Sequence, residues 1–425
     1  MKATSALAPA LRDAARMVSR VAAGRSLADE LGRAAEEGME TARAALLDLT
    51  HGTLRRYGRV QAIVAALSRH GQPDALVQAL LWCSLYALES GRYADYTVVD
   101  QAVRACTLLE RWTAKGYVNG LLRTYLRERT AMEARIRADE AARHQHPQWW
   151  IDIVRAAYPG SWEEILAAGN THPPMTLRVN ARRSEVAAYA QRLASAGMSA
   201  RALGGEALLL ERPVPVERLP GFADGEVSVQ DAGAQRAAGL LELSAGQRVL
   251  DACAAPGGKS AHILERADVA LTALDVDAAR CERIERNLQR LSLRATVRAA
   301  DCTRPQSWWD GAAFDRVLAD VPCSASGVAR RHPDLKWLRR AGDPAAFAAR
   351  QATILDALWQ LLAPGGKLLY VTCSVFPQEN EDVVQAFVAR AQGARSLPLP
   401  DGERPQWLPG PQHDGFYYAL IQKHP

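Results

Sequence analysis

Two cysteines in this chain follow apolar runs that are typical of buried β-strands. Cys323 stands in VLADVPCSASG and Cys373 in YVTCSVFP, and a serine comes directly after each of them. A single cysteine at a strand end is usually a small buried hydrophobe. Two thiols in the same setting, fifty residues apart, indicate a shared chemical role.

A disulfide, a metal site and covalent catalysis are the three roles open to such a pair. Seven cysteines at irregular spacing do not form a disulfide framework, and they favour a reduced, cytoplasmic protein. A metal site needs about four ligands, and no cysteine or histidine motif supplies the others, so we expect no metal. Two catalytic thiols fit the pattern better.

The elements that must position these thiols begin near residue 246. From there strands and helices alternate five times, which predicts an α/β fold with a doubly wound, Rossmann-like parallel sheet. In the strand order 3-2-1-4-5, the strands before Cys323 and Cys373 are neighbours, about 4.8 Å apart. We therefore expect both thiols in one pocket. The last stretch, GFYYALIQK, predicts an antiparallel strand at the edge of the sheet.

The stretch DACAAPGGKS, between the first strand and its helix, indicates a ligand site at the same edge. Gly257 and Gly258 let the backbone approach a ligand, and the helix N-terminus offers free amides. The dinucleotide pattern G-x-G-x-x-G is absent, and a P-loop would need glycine where Cys253 stands. An S-adenosylmethionine site remains, with Asp275 placed for the ribose hydroxyls and Asp301 for the adenine side.

A thiol beside a methyl donor indicates methylation of carbon 5 of a pyrimidine. That carbon is too weak a nucleophile to attack a sulfonium methyl group until a thiolate has added at carbon 6. Asp320, in ADVPC, is placed to meet the ring nitrogen as charge develops there. A base must afterwards remove the proton on carbon 5, so we expect one thiol to add and the second to serve release.

The rest of the chain divides into two further regions. Residues 1–146 carry helical spacing without strand signals and predict an all-α domain, whose first 140 residues hold 20 Lys and Arg against 16 Asp and Glu. An RNA-binding face and a solvated set of helices account for this charge equally well. Residues 147–230 predict a small α/β connector or RNA-binding platform, and residues 231–425 the catalytic domain.

The composition is that of a globular protein of 425 residues, with 48% hydrophobic and 23% charged residues and a formal net charge of +5. No apolar run approaches the length of a membrane span, and the N-terminus lacks the apolar core of a signal peptide. The positive net charge favours a polyanionic partner. We expect a cytoplasmic monomer with no membrane partner.

Three motifs resemble the signatures of the RNA 5-methylcytosine methyltransferases of the Sun family: LDACAAPGGKSAHI, ADVPCSASGVARRHPDLKW and YVTCSVFPQENEDVV. The stretch LLDLTHGTLRRYGRV resembles a NusB-like RNA-binding domain, so the resemblance covers nearly the whole chain. It implies a NusB-like domain before a methyltransferase domain, S-adenosyl-L-methionine as cofactor, and RNA as substrate, first of all small-subunit (16S) ribosomal RNA.

The resemblance also implies a role for each matching residue. Cys373 corresponds to the nucleophile and Cys323 to the thiol that assists product release, while Lys259 and Asp320 line the target-base pocket. DNA cytosine methyltransferases attack instead with a thiol at the position of Cys323. The implied cofactor contacts are Cys253, Ala254, Ala255, Pro256, Gly257, Gly258, Lys259, Asp275, Asp301 and Asp320.

Contacts to RNA outside the pocket are expected in two places. Arg330, Arg331 and Lys336 follow Cys323 and could hold phosphates around a flipped base, although an exposed basic helix start explains them equally well. Arg178 matches an RNA-binding segment of the family. Three other functions stay open: the same reaction on tRNA or large-subunit ribosomal RNA, a non-catalytic RNA-binding assembly factor, and a P-loop nucleotide hydrolase.

Overall fold

The protein is described here by a computed structural model that covers residues 7–36, 43–68, 71 and 73–424. These residues belong to two units of the chain. The first unit comprises the chain up to His172 together with Ala329–Ala341. The second comprises Pro173–Val328 and the chain from Gly342 onwards.

The described part of the first unit is helical up to His172, whereas the sequence predicted an all-α region only as far as residue 146, so α10 and α11 lie in the stretch that was assigned to the connector. Its helices are α1 (Leu7–Ala22), α2 (Leu27–Glu36), α3 (Arg43–Arg55), α4 (Tyr57–Leu67), α5 (Ala75–Glu89), α6 (Asp95–Leu108), α7 (Lys115–Arg127), α8 (Arg129–Ala138), α9 (Glu140–His144), α10 (Gln148–Ala157) and α11 (Trp162–Ala168).

Helix α5 forms the centre of this unit because its sequence is apolar on nearly every side. The Asp74 carboxylate caps the helix by accepting hydrogen bonds from the amides of Leu76, at 3.0 Å, and Val77, at 3.4 Å. Cys83 and Cys106 are fully buried in the surrounding core. These two thiols are therefore packing residues.

The 329–341 segment follows the Cys323 loop in sequence but belongs to the first unit. Its Trp337 donates a hydrogen bond from Nε1 to the carbonyl oxygen of Leu54 at 3.0 Å. Its Asp334 accepts one from the amide of Leu27 at 3.0 Å. The segment is thus held by the helices of the N-terminal region.

The second unit begins with a small antiparallel sheet in the order β2-β3-β1-β4. Its elements are β1 (Thr176–Val179), α12 (Val186–Ser195), β2 (Ala200–Gly204), β3 (Ala207–Leu210) and β4 (Val227–Val229). The predicted α/β connector is confirmed, with its core formed by Leu177, Leu208 and Leu193. The sequence did not predict β2, whose side chains are mostly exposed and carry no apolar alternation.

The large sheet and its helices follow. They are α13 (Ala232–Leu240), β5 (Arg248–Asp251), α14 (Gly258–Arg266), β6 (Ala270–Asp275), α15 (Ala278–Leu291), β7 (Thr296–Ala299), β8 (Phe314–Asp320), α16 (Leu335–Leu338), α17 (Asp343–Leu361), β9 (Leu362–Thr372), α18 (Glu381–Arg390), β10 (Ala394–Leu397), β11 (Gln406–Trp407) and β12 (Phe416–Lys423). Of these, α16 lies in the 329–341 segment and belongs to the first unit.

The main path of this sheet has the strand order β7-β6-β5-β8-β9-β12-β10. The first five strands are parallel and confirm the predicted doubly wound order. The final strand β12 is antiparallel to β9, as predicted, but its predicted place at the edge is wrong. Strand β10 pairs with its outer side, with Ala394 opposite Lys423. The sequence signal for β10 is weak because this strand is short and half-exposed.

Alternating side chains of the strands support apolar layers on both faces of the sheet. Val249 packs in one layer with Ile284 of α15, while the next residue, Leu250, packs in the other with Leu358 of α17. The parallel strands are thereby buried on both sides, and their carboxyl ends meet at one edge. Among the described residues, no helix has the length and apolar character needed to cross a membrane.

Candidate active site

The two thiols meet at the carboxyl ends of β8 and β9. These strands are parallel neighbours, with Asp320 in register with Val371, so the loops after them begin side by side. Cys323 Sγ lies 3.4 Å from Cys373 Sγ, which confirms that they share one site. That distance is far longer than the S–S bond of about 2.05 Å, and both cysteines are free thiols.

Gly327 fixes the backbone of the Cys323 loop against that of Cys373. Its amide donates to the Cys373 carbonyl oxygen at 2.8 Å, and its own carbonyl oxygen accepts from the Gly415 amide at 2.9 Å. A Cβ atom at this position would lie 2.9 Å from the Cys373 carbonyl oxygen and closer still to that of Gly415. Only glycine allows the loops to approach this closely.

The two thiols differ in their electrostatic surroundings. The hydrogen bond with Cys373, together with burial, raises the pKa of Cys323 well above its ordinary value. Cys323 is therefore a neutral thiol at physiological pH and can donate its proton to the neighbouring sulfur. Cys373 is the less buried of the two, and the ammonium group of Lys259 interacts with it electrostatically.

Lys259 and Asp320 form an ion pair beside the thiols. Lys259 lies in the first turn of α14 and Asp320 ends β8, and their Nζ and Oδ2 atoms are 2.6 Å apart. Burial lowers the pKa of Lys259, but the Asp320 carboxylate outweighs it and raises this pKa above its ordinary value. The two residues that the resemblance assigned to the target base are therefore together, with the proton on Lys259.

A cavity of about 680 Å³ opens from the thiols along the carboxyl edge of the sheet. Its wall includes both thiols, Cys323 and Cys373, and five of the predicted cofactor contacts: Cys253, Ala255, Asp275, Asp301 and Asp320. The other predicted contacts are not part of its wall. Of these, Gly257 has a φ of +94° and turns the chain into α14, which begins at Gly258.

Asp275 and Asp301 present carboxylates to this cavity. Asp275 is 4% exposed and accepts hydrogen bonds from the amides of Ala255, at 3.3 Å, and Asp277, at 3.2 Å. Arg280 also donates to this carboxylate at 3.3 Å, so of its roughly four acceptor sites about one remains for a ribose hydroxyl. Burial opposes ionisation of Asp301, but the amide and hydroxyl of Thr303 bind its carboxylate and lower its pKa.

These residues fit the predicted nucleoside cofactor. The volume lies in the range of about 300–1,000 Å³ that is usual for small-molecule pockets. Ala300, Val321 and Ile354 give one part of the wall an apolar surface suited to a flat ring. Arg280, which the sequence did not single out, pairs with Asp275 at 3.3 Å and donates to the Ala255 carbonyl oxygen at 3.1 Å.

A second pair of thiols lines the same cavity. Cys253 and Cys302 are hydrogen-bonded to each other, and this bond together with burial raises the pKa of Cys253 well above its ordinary value. The same hydrogen bond lowers the pKa of Cys302. Sequence analysis gave no role for Cys302. Its contact with Cys253 arises only when the sheet folds and brings the ends of β5 and β7 to the same edge.

Arg178 does not fit the prediction that it binds RNA. Its side chain is fully buried and forms two hydrogen bonds of 2.8 Å with the Glu265 carboxylate. It also donates to Gln230 Oε1 at 2.5 Å and to the carbonyl oxygen of Gly258 at 2.8 Å. The prediction is wrong, because these donors tie β1 to α14 and have no access to a phosphate.

Lys336 and Arg330 are also misassigned as phosphate contacts. Both are buried in the first unit, at 0% and 2% exposure. Burial lowers the pKa of Lys336 well below its ordinary value. Its ammonium group donates to three oxygens: the carbonyls of Arg55 (3.1 Å) and Gln145 (3.0 Å) and Oδ1 of Asn170 (2.7 Å). Arg331 is half-buried, and its RNA contact stays a prediction.

Comparison with known proteins gives three family matches along the chain. Residues 9–127 match the NusB family, and residues 146–217 match the ferredoxin-like domain of RsmF/B-like methyltransferases. Residues 238–422 match the family described as 16S rRNA methyltransferase RsmB/F. The predicted fold, a NusB-like domain and connector before a methyltransferase domain, is confirmed.

Two curated relatives and one solved structure match over almost the full length. Ribosomal RNA small subunit methyltransferase B of Vibrio cholerae is 43% identical over 411 residues, 94% of each chain. The protein of the same name in Pseudomonas putida is 44% identical over 425 residues, 96% of this chain and 97% of its own. The crystal structure of PH0851 shares the fold, with a TM-score of 0.81 and 21% identity over 98% and 99% of the two chains.

Proposed function

Since the chain belongs to the family of ribosomal RNA small subunit methyltransferase B, we propose that it methylates carbon 5 of a cytosine in 16S ribosomal RNA, with Cys373 as covalent nucleophile. The observation that carries this proposal is the pair of thiols, 3.4 Å apart, in the wall of the cofactor cavity. Ring nitrogens and ribose hydroxyls have lone pairs and need no thiol, whereas carbon 5 needs covalent activation.

In the first step the thiolate of Cys373 adds to carbon 6 of the cytosine. A sulfur–carbon bond forms, and the electron pair of the 5,6 double bond moves to carbon 5 and into the ring. Lys259 carries the proton of the ion pair with Asp320 and stabilises the negative charge as it develops on the ring. This proposal replaces the expectation that Asp320 itself protonates the base.

The cavity wall would hold the methyl donor next to that carbon. Asp275 would bind the ribose hydroxyls, Asp301 would lie on the adenine side, and the Ala255 turn would contact the amino-acid end. When bound there, S-adenosylmethionine would supply an electrophilic methyl group to carbon 5, with S-adenosylhomocysteine as the leaving group.

Release then requires removal of the proton on carbon 5, and we assign this step to Cys323. Once Cys373 is bound to carbon 6, its sulfur carries no negative charge, and repulsion between two thiolates no longer opposes ionisation of Cys323. Cys323 first gives up its own thiol proton to solvent, and the resulting thiolate takes the proton from carbon 5. The electron pair of that C–H bond restores the 5,6 double bond, and the thiolate of Cys373 leaves. The free enzyme then again has a protonated Cys323 and a Cys373 thiolate, and one proton has been released for each methyl group transferred.

The two thiols are tested by comparing Cys373→Ala with Cys323→Ala on unmodified 16S ribosomal RNA. Cys373→Ala should give neither methyl transfer nor an adduct, because carbon 5 is never activated. Cys323→Ala should accumulate a protein–RNA adduct that migrates slowly on a denaturing gel. Cys106→Ala, a core thiol of the first unit, is the control and should behave as wild type. An adduct confined to Cys373→Ala would reverse the two roles.

The substrate is tested separately, by bisulfite sequencing of RNA from cells with and without the gene. We expect a 5-methylcytosine in 16S ribosomal RNA to disappear, whereas loss of a site in tRNA or large-subunit RNA would contradict this substrate. We further propose that the protein acts in the cytoplasm as a monomer, because the whole cavity wall lies in one unit of one chain. Analytical ultracentrifugation would detect a dimer.

A further inference from the structure

A fully buried carboxylate lies behind the two thiols. Glu379 follows β9 and is 0% exposed. Its Oε1 accepts a hydrogen bond from the amide of Ser324 at 2.7 Å, and its Oε2 accepts from the hydroxyl of Ser324 at 2.6 Å and from that of Ser374. Burial of a carboxylate is costly unless such bonds compensate it. Apolar side chains of similar volume could fill the space between the two loops without the free-energy cost of burying a charge.

The two serines are the residues that follow the two cysteines. Glu379 therefore ties the Cys323 loop to the Cys373 loop by one functional group. A third buried hydroxyl, that of Ser326, strengthens the link, at 2.9 Å from Ser374 Oγ and 2.8 Å from the amide of Val375. These bonds fix the serines, and with them the separation of the neighbouring sulfur atoms.

The two thiols have different charged neighbours. The carboxylate of Glu379, the phenol of Tyr370 and the thiol of Cys373 are the titratable neighbours of Cys323. The ammonium of Lys259 and the phenol of Tyr418 face Cys373. The Glu379 carboxylate disfavours a second negative charge on Cys323, whereas the cation near Cys373 is Lys259, which is paired with Asp320 at 2.6 Å.

We propose that Glu379 is a positioning residue that holds the two thiols in contact through Ser324 and Ser374, and that its negative charge disfavours a thiolate at Cys323. This deepens the proposed function and rests on it. Glu379 touches neither RNA nor cofactor in this scheme. Its hydrogen bonds with Ser324 and Ser374 fix the distance between the two sulfur atoms. Its negative charge affects the protonation of Cys323.

The charge effect is tested on the full-length protein without RNA or cofactor. Iodoacetamide alkylation of each cysteine is followed against pH by peptide mass spectrometry, in wild type and in Glu379→Gln. The variant should shift the pH midpoint for Cys323 downwards by about one unit or more. The midpoint for Cys373 should move less, and Cys281 is the internal control. An unchanged Cys323 midpoint in folded Glu379→Gln overturns the proposal.

The geometric effect is tested with Ser374→Ala, which retains the carboxylate but cuts its link to the Cys373 loop. We expect kcat to fall by about tenfold or more, with KM for RNA and cofactor unchanged, since misplaced reacting groups slow the chemical step. The Cys323 midpoint should stay at the wild-type value. This variant also serves if Glu379→Gln does not fold, and a wild-type kcat would overturn the positioning role.

The two proposals fail in different ways. If wild-type protein does not methylate cytosine, the covalent mechanism fails, while the alkylation experiment still reports the state of both thiols. If methylation proceeds as proposed but Glu379→Gln leaves the Cys323 midpoint unchanged, the covalent mechanism stands and the role of Glu379 is refuted. A merely structural carboxylate would lower stability without moving the alkylation midpoint of one cysteine selectively.

Discussion

Replacement of Arg178 by Met should destabilise the methyltransferase unit rather than weaken RNA binding. Arg178 is 0% and Glu265 2% exposed in their side chains, and two hydrogen bonds of 2.8 Å join them. Loss of one partner leaves a buried carboxylate without its counter-charge, which typically costs about 3–5 kcal/mol. The Gly258 carbonyl and Gln230 also lose a donor, so the upper part of that range applies.

The assay is urea unfolding of full-length protein, followed by circular dichroism, for Arg178→Met and for a matched control. Arg182→Met is that control, since Arg182 lies on the same segment, its carboxylate partner Asp268 is 83% exposed, and its other bond is a long one of 3.3 Å to the backbone carbonyl oxygen of Glu265, not to the carboxylate. An exposed pair of this kind contributes about 0–1 kcal/mol. The double variant Arg178→Met/Glu265→Met removes the unpaired charge as well and should recover a large part of the lost stability.

The opposite result would come from a phosphate contact. In that case Arg178→Met would unfold like wild type, and the slope of log K against log salt for RNA binding would fall by about one. A stability loss in Arg182→Met equal to that in Arg178→Met would also refute the reasoning, because burial would then not be the deciding quantity.

Three further variants test other parts of the structure. Asp275→Ala should weaken binding of S-adenosylhomocysteine about 10- to 100-fold in isothermal titration, because the ribose hydroxyls lose a charged acceptor. An unchanged Kd would contradict the cofactor assignment. Lys336→Met should destabilise the first unit by about 2–4 kcal/mol, because three buried oxygens lose their donor, while the salt dependence of RNA binding stays as in wild type. Burial raises the pKa of Asp251 to about 7, so the folded protein keeps this carboxyl protonated where the unfolded chain ionises it. Wild-type stability should therefore fall as pH rises from about 4 to about 7, by up to about 4 kcal/mol, and Asp251→Asn should lack this fall when urea midpoints at about pH 5 and about pH 8 are compared.

Much of the site could be predicted from the sequence, because the topology of the sheet determines where the residues after each strand lie. A parallel sheet places the carboxyl ends of its strands at one edge, so residues after neighbouring strands must meet there. Strand and helix alternation therefore sufficed to bring Cys323 to Cys373 and to place Asp275 and Asp301 on the cavity. The motif resemblance added the assignment of Lys259 and Asp320, which the structure joins in an ion pair.

The residues of the hydrogen-bond network around Glu379 are visible in the sequence, but the sequence does not indicate that they lie together. A serine follows each cysteine in the sequence, and a glutamate stands in the PQEN stretch after Cys373. Serine and glutamate are usually exposed, so their types alone gave no reason to place them together inside the protein. Their hydrogen bonds depend on the pairing of β8 with β9 and on the turn at Glu379.

The local sequence thus determined most of the elements, the order of the five parallel strands and the convergence of the chemical groups, because these depend on periodicity and chain topology, whereas the short, half-exposed strands β2 and β10 left too weak a signal. Only the tertiary structure decided which charged residues are buried. Arg178 finds Glu265, 87 residues away, and Lys336 finds oxygens near residues 55, 145 and 170, so that basic residues expected at the surface lie inside. Whether a charge faces water depends on partners that are distant in sequence, since burial is tolerated only where hydrogen bonds and counter-charges replace the lost hydration.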